Sequence, residues 1–376
     1  MRRRDLLPVL ALALVCAGLW CAPAAKTVAD DRGATARARV ARVDDADVRK
    51  LGLLDYGTQH LDVEVLDGPE RGRALRADNE IRAQLDLDKR FAVGDTAVVV
   101  IPPGGARDGE PVIARDHWRL GWAGVLFGAF CALLCAFGGW TGAKALFSFV
   151  FSCLVVWKLV VPLALAGWPA SWTAFAAVCV LTAAIMYLVA GPTRKGAAAT
   201  LGALLGVFSG LALAHLFAAL MKISGATMPY VQTLLYSGYE TLDLGDVFVG
   251  AMVLASSGAV MDLAMDIAAG IEEVARHNPS LPRRALFLSG LRIGRSVVGT
   301  MTTTLLLAYS GGYITLLMVF AAQGTPPADF LNSTLVSAEL VKTLVGSFAL
   351  VLVAPFTALV GAAAFAPRRP PEGAAS

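Results

Sequence analysis

Charged residues are scarce in this chain, and their scarcity excludes several classes of protein. Only 16% of the residues are charged whereas 56% are hydrophobic, a balance typical of a polytopic membrane protein. The net charge of +3 is too small to suggest nucleic-acid binding, and no basic stretch is interleaved with aromatic residues. The sequence therefore predicts the lipid bilayer as its partner and no nucleic acid.

Cysteine and histidine are also few. The six cysteines all lie in apolar segments, which favours a packing role. Cys131 and Cys135 share a helical face, but no His, Asp or third Cys is near enough in sequence to complete a metal site. There is no Walker motif for ATP. We therefore expect neither a metal nor another cofactor.

The N-terminus predicts a targeting segment. Three arginines at positions 2–4 precede an apolar run that extends to about residue 25, as in a signal peptide. The run is also nearly long enough to span a bilayer, so residues 1–25 are equally consistent with an uncleaved anchor.

Residues 26–117 predict a small β-rich domain. Polar and apolar residues alternate over 36–43 and 60–65, which is typical of half-buried strands. Residues 67–72 (DGPERG) mark a turn, and 96–101 is rich in β-branched residues. Several short strands favour an OB-like barrel or a sandwich, acting as a structural or partner-binding cap.

Residues 118–366 predict a mainly α, multi-span membrane helix bundle. Each apolar run has roughly the twenty residues that cross a hydrocarbon core of about 30 Å. With the N-terminal segment there are about eight spans, so both termini are expected on one side, with residues 367–376 as a cytoplasmic tail. The runs are 120–138, 145–165, 172–190, 197–221, 247–270, 300–322 and 340–365.

Basic residues predict the orientation of these spans. Loops rich in Lys and Arg face the cytoplasm, and here they alternate with loops of little basic charge. We expect a multi-pass protein of the cytoplasmic (inner) cell membrane, with residues 26–117 outside the cytoplasm and the C-terminus inside. The basic residues assigned to the cytoplasm beside those at positions 2–4 are Lys144, Arg194, Lys195, Arg276, Arg283, Arg284, Arg368 and Arg369.

An acidic stripe lies within one apolar run. Gly258, Asp262, Asp266 and Gly270 are spaced by four, which places them on one face of a helix. A carboxylate at membrane depth is costly unless it is paired, hydrated or protonated. The two acids therefore indicate a functional site.

Four arginines follow in segment 282–298, for which we predict a short amphipathic or re-entrant helix: Arg283, Arg284, Arg292 and Arg295. One interpretation is an interfacial helix whose arginines reach lipid phosphates. The other pairs Arg292 or Arg295 with Asp262 or Asp266, which would satisfy both charges.

Gly299 is predicted to break the chain before the span at 300–322. The threonines that follow it either bond back to the preceding turn or line a polar path, and two serines of the acidic helix offer the same alternatives. The expected polar lining comprises Ser256, Ser257, Gly258, Thr300, Thr302 and Thr303.

Several motifs of the second half resemble the YibE/F-like family of membrane proteins. They are 257–265 (SGAVMDLAM), 289–295 (SGLRIGR) and 304–309 (TLLLAY). The layout of an N-terminal span, an external β-rich domain and a helical bundle is similar as well. The family is described as permease-like without an established function, so the resemblance implies architecture and not a substrate.

Two charged residues, Asp262 and Arg295, match the family pattern, so the resemblance implies a role for them. It implies none for Arg292. The departures are Asp266 in place of a small polar residue, Ser296 in place of an acid and Thr303 in place of an asparagine.

Two functions stay open on the sequence. The first is a permease-like transporter of an ion or small solute, in which Asp262 responds to a proton or cation and Arg295 is its partner. The second is a non-transporting membrane scaffold or sensor whose external domain binds an extracytoplasmic protein. No Ser/His/Asp set is apparent, so no enzyme is expected. The sequence leaves the oligomeric state open.

Overall fold

The computed structural model describes residues 15–18, 20, 33–85, 87–107 and 109–367. Most of the predicted N-terminal segment and the predicted tail beyond residue 367 lie outside this part. Residues 15–18 and 20 of that segment are helical. The chain divides into two compact units, one formed by Lys26–Leu134 and the other chiefly by the chain from Cys135 onward.

The first unit contains a small closed β-barrel, so the barrel alternative is confirmed over the sandwich. Its strand order is β1-β2-β3-β5-β4, with β4 returning to pair with β1. β3 and β5 run parallel, and the other neighbours are antiparallel. The strands are β1 Ala34–Leu51, β2 Leu54–Val65, β3 Ala74–Arg82, β4 Thr96–Ile101 and β5 Val112–His117.

Alternation along the strands fills the barrel, as the sequence predicts. Inward residues such as Val40, Leu61 and Val63 are almost fully buried. Two buried side-chain amides form hydrogen bonds with the backbone of the segment that follows β3. The Gln59 side chain accepts from the Phe91 N–H at 2.9 Å and donates to the Phe91 carbonyl at 3.1 Å, and the Asn79 amide donates to the Lys89 carbonyl at 2.7 Å.

Helices make up the rest of the described chain. Their lengths follow from long apolar runs that are separated mostly by short polar or glycine-containing turns, and between α4 and α6 by the longer connection 221–243. They are α1 Leu120–Val155, α2 Val161–Leu165, α3 Ala170–Ala190, α4 Arg194–Leu220, α5 Val231–Tyr236, α6 Leu244–His277, α7 Arg283–Gly312, α8 Ile314–Ala322, α9 Pro327–Asn332 and α10 Thr334–Phe365, with a π-helical turn Val156–Val160 joining α1 to α2.

Five helical segments of the described chain are long and apolar enough to cross a membrane, and α7 with α8 raises the number to six if the bent pair is one span. By length and composition the stretch Leu120–Leu165 counts as one segment, but the non-helical Gly139 (φ 52°, ψ −127°) divides it directly after the first predicted span, 120–138. The predicted total of eight is not confirmed.

The predicted break at Gly299 is wrong. α7 is continuous from Arg283 to Gly312, and the chain bends by 66° only where α8 begins. A glycine inside a helix costs only about 1 kcal/mol relative to alanine. The packing of Gly290 and Gly294 against α10 offsets that cost, since a Cβ on either glycine would lie 2.9 Å from a methyl group of Ala358 or Ala354.

The bundle core forms where α10 lies against α4, α6 and α7. Glycines on α4 let the backbones approach closely. A Cβ at Gly206 would lie 2.9 Å from the Val353 Cβ, and one at Gly210 would lie 2.9 Å from the Ala349 Cβ.

Candidate functional site

The acidic stripe of α6 lies on an outward face of the bundle. Gly258, Asp262 and Asp266 are exposed, whereas Leu263 and Ile267 on the opposite side are fully buried. Within the described residues, neither aspartate has a Lys, Arg or His nitrogen within 4.0 Å. Both carboxylates are therefore exposed and form no ion pair among the described residues.

The arginines of α7 are exposed as well. Arg292 and Arg295 flank the inward-facing Gly294, and neither forms an ion pair with an acid of the described chain. The structure therefore does not contain the predicted pairing of these arginines with the acids of α6. Asp262, Asp266, Arg292 and Arg295 are thus without an ion-pair partner among the described residues, on two helices that pack against each other.

The packing of α6 and α7 sets their relative register. A Cβ at Gly290 would lie 2.7 Å from the Ile271 Cδ1, and one at Gly294 would lie 3.3 Å from the Ile267 Cδ1. In antiparallel helices this register brings Arg295 level with Asp266. It brings Asp262 level with Gly299, one turn or about 6 Å away from Arg295 along the axis.

The predicted polar lining divides between two sides of the bundle. Gly258, Thr300 and Thr303 are exposed, and the two threonine hydroxyls donate to carbonyls of the preceding turn at 2.9 and 3.0 Å. Ser256 and Ser257 are buried and also donate to their own helix, at 2.9 and 2.8 Å. Of the two predicted alternatives, these four hydroxyls therefore bond to the preceding turn of their own helix in this structure.

Thr302 of the predicted lining is one of several buried hydroxyls in α7 and α10, and sequence reasoning missed Tyr309 and Thr343 among them. The hydroxyl oxygens of Thr302, Tyr309 and Thr343 are buried without a hydrogen-bond partner in the described chain. Gly346 of α10 is closely covered: a Cβ there would lie 3.2 Å from the Leu305 Cδ2, 3.4 Å from the Ser256 Cβ and 3.7 Å from the Tyr309 hydroxyl. The Tyr309 hydroxyl thus lies where α6, α7 and α10 meet.

An ion pair lies on the face of α10 that also carries Thr343 and Gly346. Lys342 Nζ lies 2.7 Å from a Glu339 carboxylate oxygen, and their side chains are only 23% and 25% exposed. Lys342 Nζ also lies 5.9 Å from the centre of the Phe248 ring of α6. Glu339, Lys342, Thr343 and Gly346 recur at helical spacing (i, i+3, i+4, i+7), which is the signal that could have revealed this face.

A second polar network joins the helix ends near Asp246. The fully buried Ser171 hydroxyl donates to one Asp246 carboxylate oxygen, and the Ser171 N–H donates to the other at 3.0 Å. His215 Nε2 lies 3.2 Å from the same hydroxyl. The network therefore ties together α3, α4 and α6.

This network contains a serine, a histidine and an aspartate, but in an order unlike a hydrolase triad. In a triad the histidine lies between the acid and the serine. Here Ser171 lies in the middle, donates its hydroxyl hydrogen bond to Asp246 and is fully buried. The arrangement supports a structural role, and the absence of enzymatic activity stays a prediction.

Cavities flank Asp246 on both sides. One of about 600 Å³ is lined by Trp168, Tyr239 and Asp243 among others. Another of about 320 Å³ is lined by His215, Lys222 and Asp243. Polar groups thus border open space at this end of the helical unit.

The barrel carries a polar site of its own. His60 Nδ1 lies 2.7 Å from Asp78, and its Nε2 lies 3.0 Å from Asp47. The hydrogen bond to Asp78, followed by that to Asp47, raises the pKa of His60 above its ordinary value. A cavity of about 400 Å³ beside it is lined by Arg42, Asp44, Asp62 and Arg76 in addition.

No metal centre is evident in the part of the chain that the structure describes, where no three His, Cys, Asp or Glu side chains group suitably. The predictions of no metal and no cofactor stay predictions.

Comparisons with known proteins identify one family. Its sequence profile, described as YibE/F-like protein, matches residues 126–367, which include all three motifs quoted above. Neither the curated proteins nor the solved structures gave a match. Since the profile covers more than half of the chain, this protein belongs to the YibE/F-like family.

Proposed function

We propose that this membrane protein is a permease-like transporter of an ion or small solute. The observation that carries the proposal is the largely buried Glu339–Lys342 pair on the same helix face as Thr343, whose hydroxyl, like that of Tyr309, has no hydrogen-bond partner among the described residues. Ionisable residues within membrane helices are rare and characteristically lie along ion and solute pathways. Unpartnered buried hydroxyls are normally satisfied by water or by a ligand.

The acids of α6 extend this proposal toward the cytoplasmic end of the bundle. Asp262 is the group that responds to a proton or cation, in keeping with its match to the family pattern. Its proposed partner Arg295 stands one turn away along the helix axes. The Asp262–Arg295 contact therefore belongs to a different state of the transport cycle, in which α7 has shifted along α6.

The proposed orientation follows the positive-inside rule. Arg194 and Lys195 begin α4, and Arg283 and Arg284 begin α7, so both of these helix starts face the cytoplasm. α10 then ends in the cytoplasm. The protein is an inner-membrane, multi-pass protein whose OB-like barrel lies outside the cytoplasm.

Flux in liposomes tests the proposal. The purified full-length protein is reconstituted, and uptake of protons, alkali cations and small organic ions is followed under imposed pH and ion gradients. Glu339→Gln and Lys342→Met should each lower flux at least severalfold. Asp329→Asn, which changes an exposed acid of α9, is the matched control. Full flux in both α10 variants would contradict the role of the pair.

The second candidate is a non-transporting scaffold or sensor. The cavity beside His60 favours it, because charged groups of both signs surround an imidazole on the barrel surface. Such a surface suits an extracytoplasmic protein with complementary charges. This candidate would be favoured if no solute of the panel were transported and if the wild type, but not the His60→Gln variant, bound an extracytoplasmic protein.

A further inference from the structure

Eight of the exposed residues of α6 and α7, all of them charged, small or hydroxyl-bearing, define what we call the polar face. Two of its members, Gly258 and Gly299, are not covered by other parts of the described chain: a Cβ on either would have no neighbouring atom within 4 Å. By contrast, Gly290 and Gly294 on the inward side of α7 are tightly covered. The polar face comprises Gly258, Asp262, Asp266, Arg292, Arg295, Gly299, Thr300 and Thr303.

Lipid is a poor occupant for this face. Charged side chains in a membrane helix rarely face acyl chains, because their desolvation is costly. Small residues, in turn, contribute close packing only when another helix lies against them. Ala251 and Ala255 extend the exposed small surface of α6 by two further turns. Charges and small residues together indicate a helix–helix contact surface.

A second copy of this chain is the occupant that fits the charges. The polar face has two acids and two arginines, so it is complementary to itself. The apolar helix α1 offers only Lys144, and the N-terminal apolar run 6–25 contains no charged residue. Within its apolar span, neither segment carries charges of both signs; the charges of the N-terminal segment lie before the run, in residues 2–5 (RRRD).

The register of α6 and α7 strengthens this assignment. Copies inserted in the same orientation are related by a two-fold axis along the membrane normal, so residues of equal depth meet. Asp266 and Arg295 are at equal depth, and Gly299 leaves open space level with Asp262. We infer that the chain forms a two-fold dimer across the polar face, with Asp266 of each copy against Arg295 of the other.

Charge reversal separates this dimer from a contact within one chain. In the dimer, Asp266→Arg alone and Arg295→Asp alone each place like charges together. Each should raise the dimer dissociation constant by roughly tenfold or more, a loss of about 1.4 kcal/mol per factor of ten. Co-expression of the two single variants with different tags should restore the dimer, because each copy then meets an opposite charge.

The outcome is read from tagged pull-down and native mass spectrometry of the full-length protein in lipid nanodiscs. A wild-type protein that is monomeric at all concentrations would overturn the inference. So would rescue by the double variant in one chain without rescue by co-expression, since that result identifies an intrachain pair. Neither outcome depends on whether the protein transports a solute.

Cross-linking gives a readout that does not perturb the charges. In a variant without the six native cysteines, Gly258→Cys should react across the interface with a short bis-maleimide to give a covalent dimer. Leu205→Cys is the control, because Leu205 is 43% exposed on a different helix, α4, and is not part of the polar face. Equal cross-linking of both variants would mean random collision and would contradict a specific dimer.

Discussion

Gly202 of α4 lies directly against Thr357 of α10, so closely that a Cβ added to the glycine would lie 2.7 Å from the Thr357 Cα. Gly206 and Gly210 continue the contact at intervals of one turn. Backbone approach of this kind maximises dispersion contacts between helices, which in a membrane replace the hydrophobic effect as the driving force. The α4–α10 contact therefore anchors the bundle on which the polar groups are arranged.

Substitution of Gly202 should destabilise this contact. Gly202→Leu would force α4 and α10 apart, with a cost of about 1–3 kcal/mol or more from overpacking. The measurement is thermal unfolding of the purified protein in detergent. Gly128→Ala is the control, since a Cβ at Gly128 in α1 meets nothing within 4 Å. A Gly202→Leu protein as stable as the wild type would show that the helices are not in this contact.

Removal of the Ser171 hydroxyl should weaken the junction of α3, α4 and α6. Ser171→Ala deletes the hydrogen bonds to Asp246 and His215, and loss of a bond to a charged group costs about 1.5–3 kcal/mol. Ser209→Ala is the control, because this exposed hydroxyl bonds only to its own helix, at 2.8 Å. Thermal unfolding in detergent should separate the two variants, and equal stability would argue against the network.

The pH dependence of the barrel should show the raised pKa of His60. Its protonated form is favoured in the folded state, so the stabilisation is fully present below the unfolded pKa of about 6.5. It is lost as the pH rises through the higher folded pKa. NMR titration of the four histidines, with His60→Gln for assignment, measures the pKa directly. Asp78→Asn should lower it, and a pKa that stays at 6.5 or below in the wild type would contradict the arrangement.

Replacement of Asp262 should affect activity more than folding. Asp262→Asn removes a titratable group from an exposed position, so the protein should fold and unfold at nearly the wild-type temperature. If the transport proposal is right, ion-coupled flux in liposomes should fall at least roughly tenfold, as for loss of a group that holds a proton or cation. Unchanged flux would remove Asp262 from the proposed pathway.

Periodicity and length made much of the architecture predictable. Alternation over 36–43 and 60–65 encodes two barrel strands, because successive side chains of a strand point to opposite faces. Apolar runs near twenty residues encode long helices, and residues 257–265 with 289–295 carry the family resemblance. Each of these signals is local, so it survives without knowledge of what packs against it.

Other features depended on contacts between elements distant in sequence. Gly299 reads as a break, yet α7 continues through it because Gly290 and Gly294 pack against α10. The Ser171–Asp246 bond joins residues 75 positions apart, and no spacing rule predicts it. The surroundings of the Tyr309 hydroxyl likewise involve three helices, α6, α7 and α10, so no local sequence pattern predicts them.

The sequence by itself determined that Asp262 and Asp266 share a helix face, since residues four apart in an α-helix lie one above the other. Only the tertiary structure decided that this face points outward and that Arg295 is level with Asp266. The reason is physical: helical periodicity orients side chains relative to one another, whereas the packing of Ile267 and Ile271 against the glycines of α7 orients the helix itself.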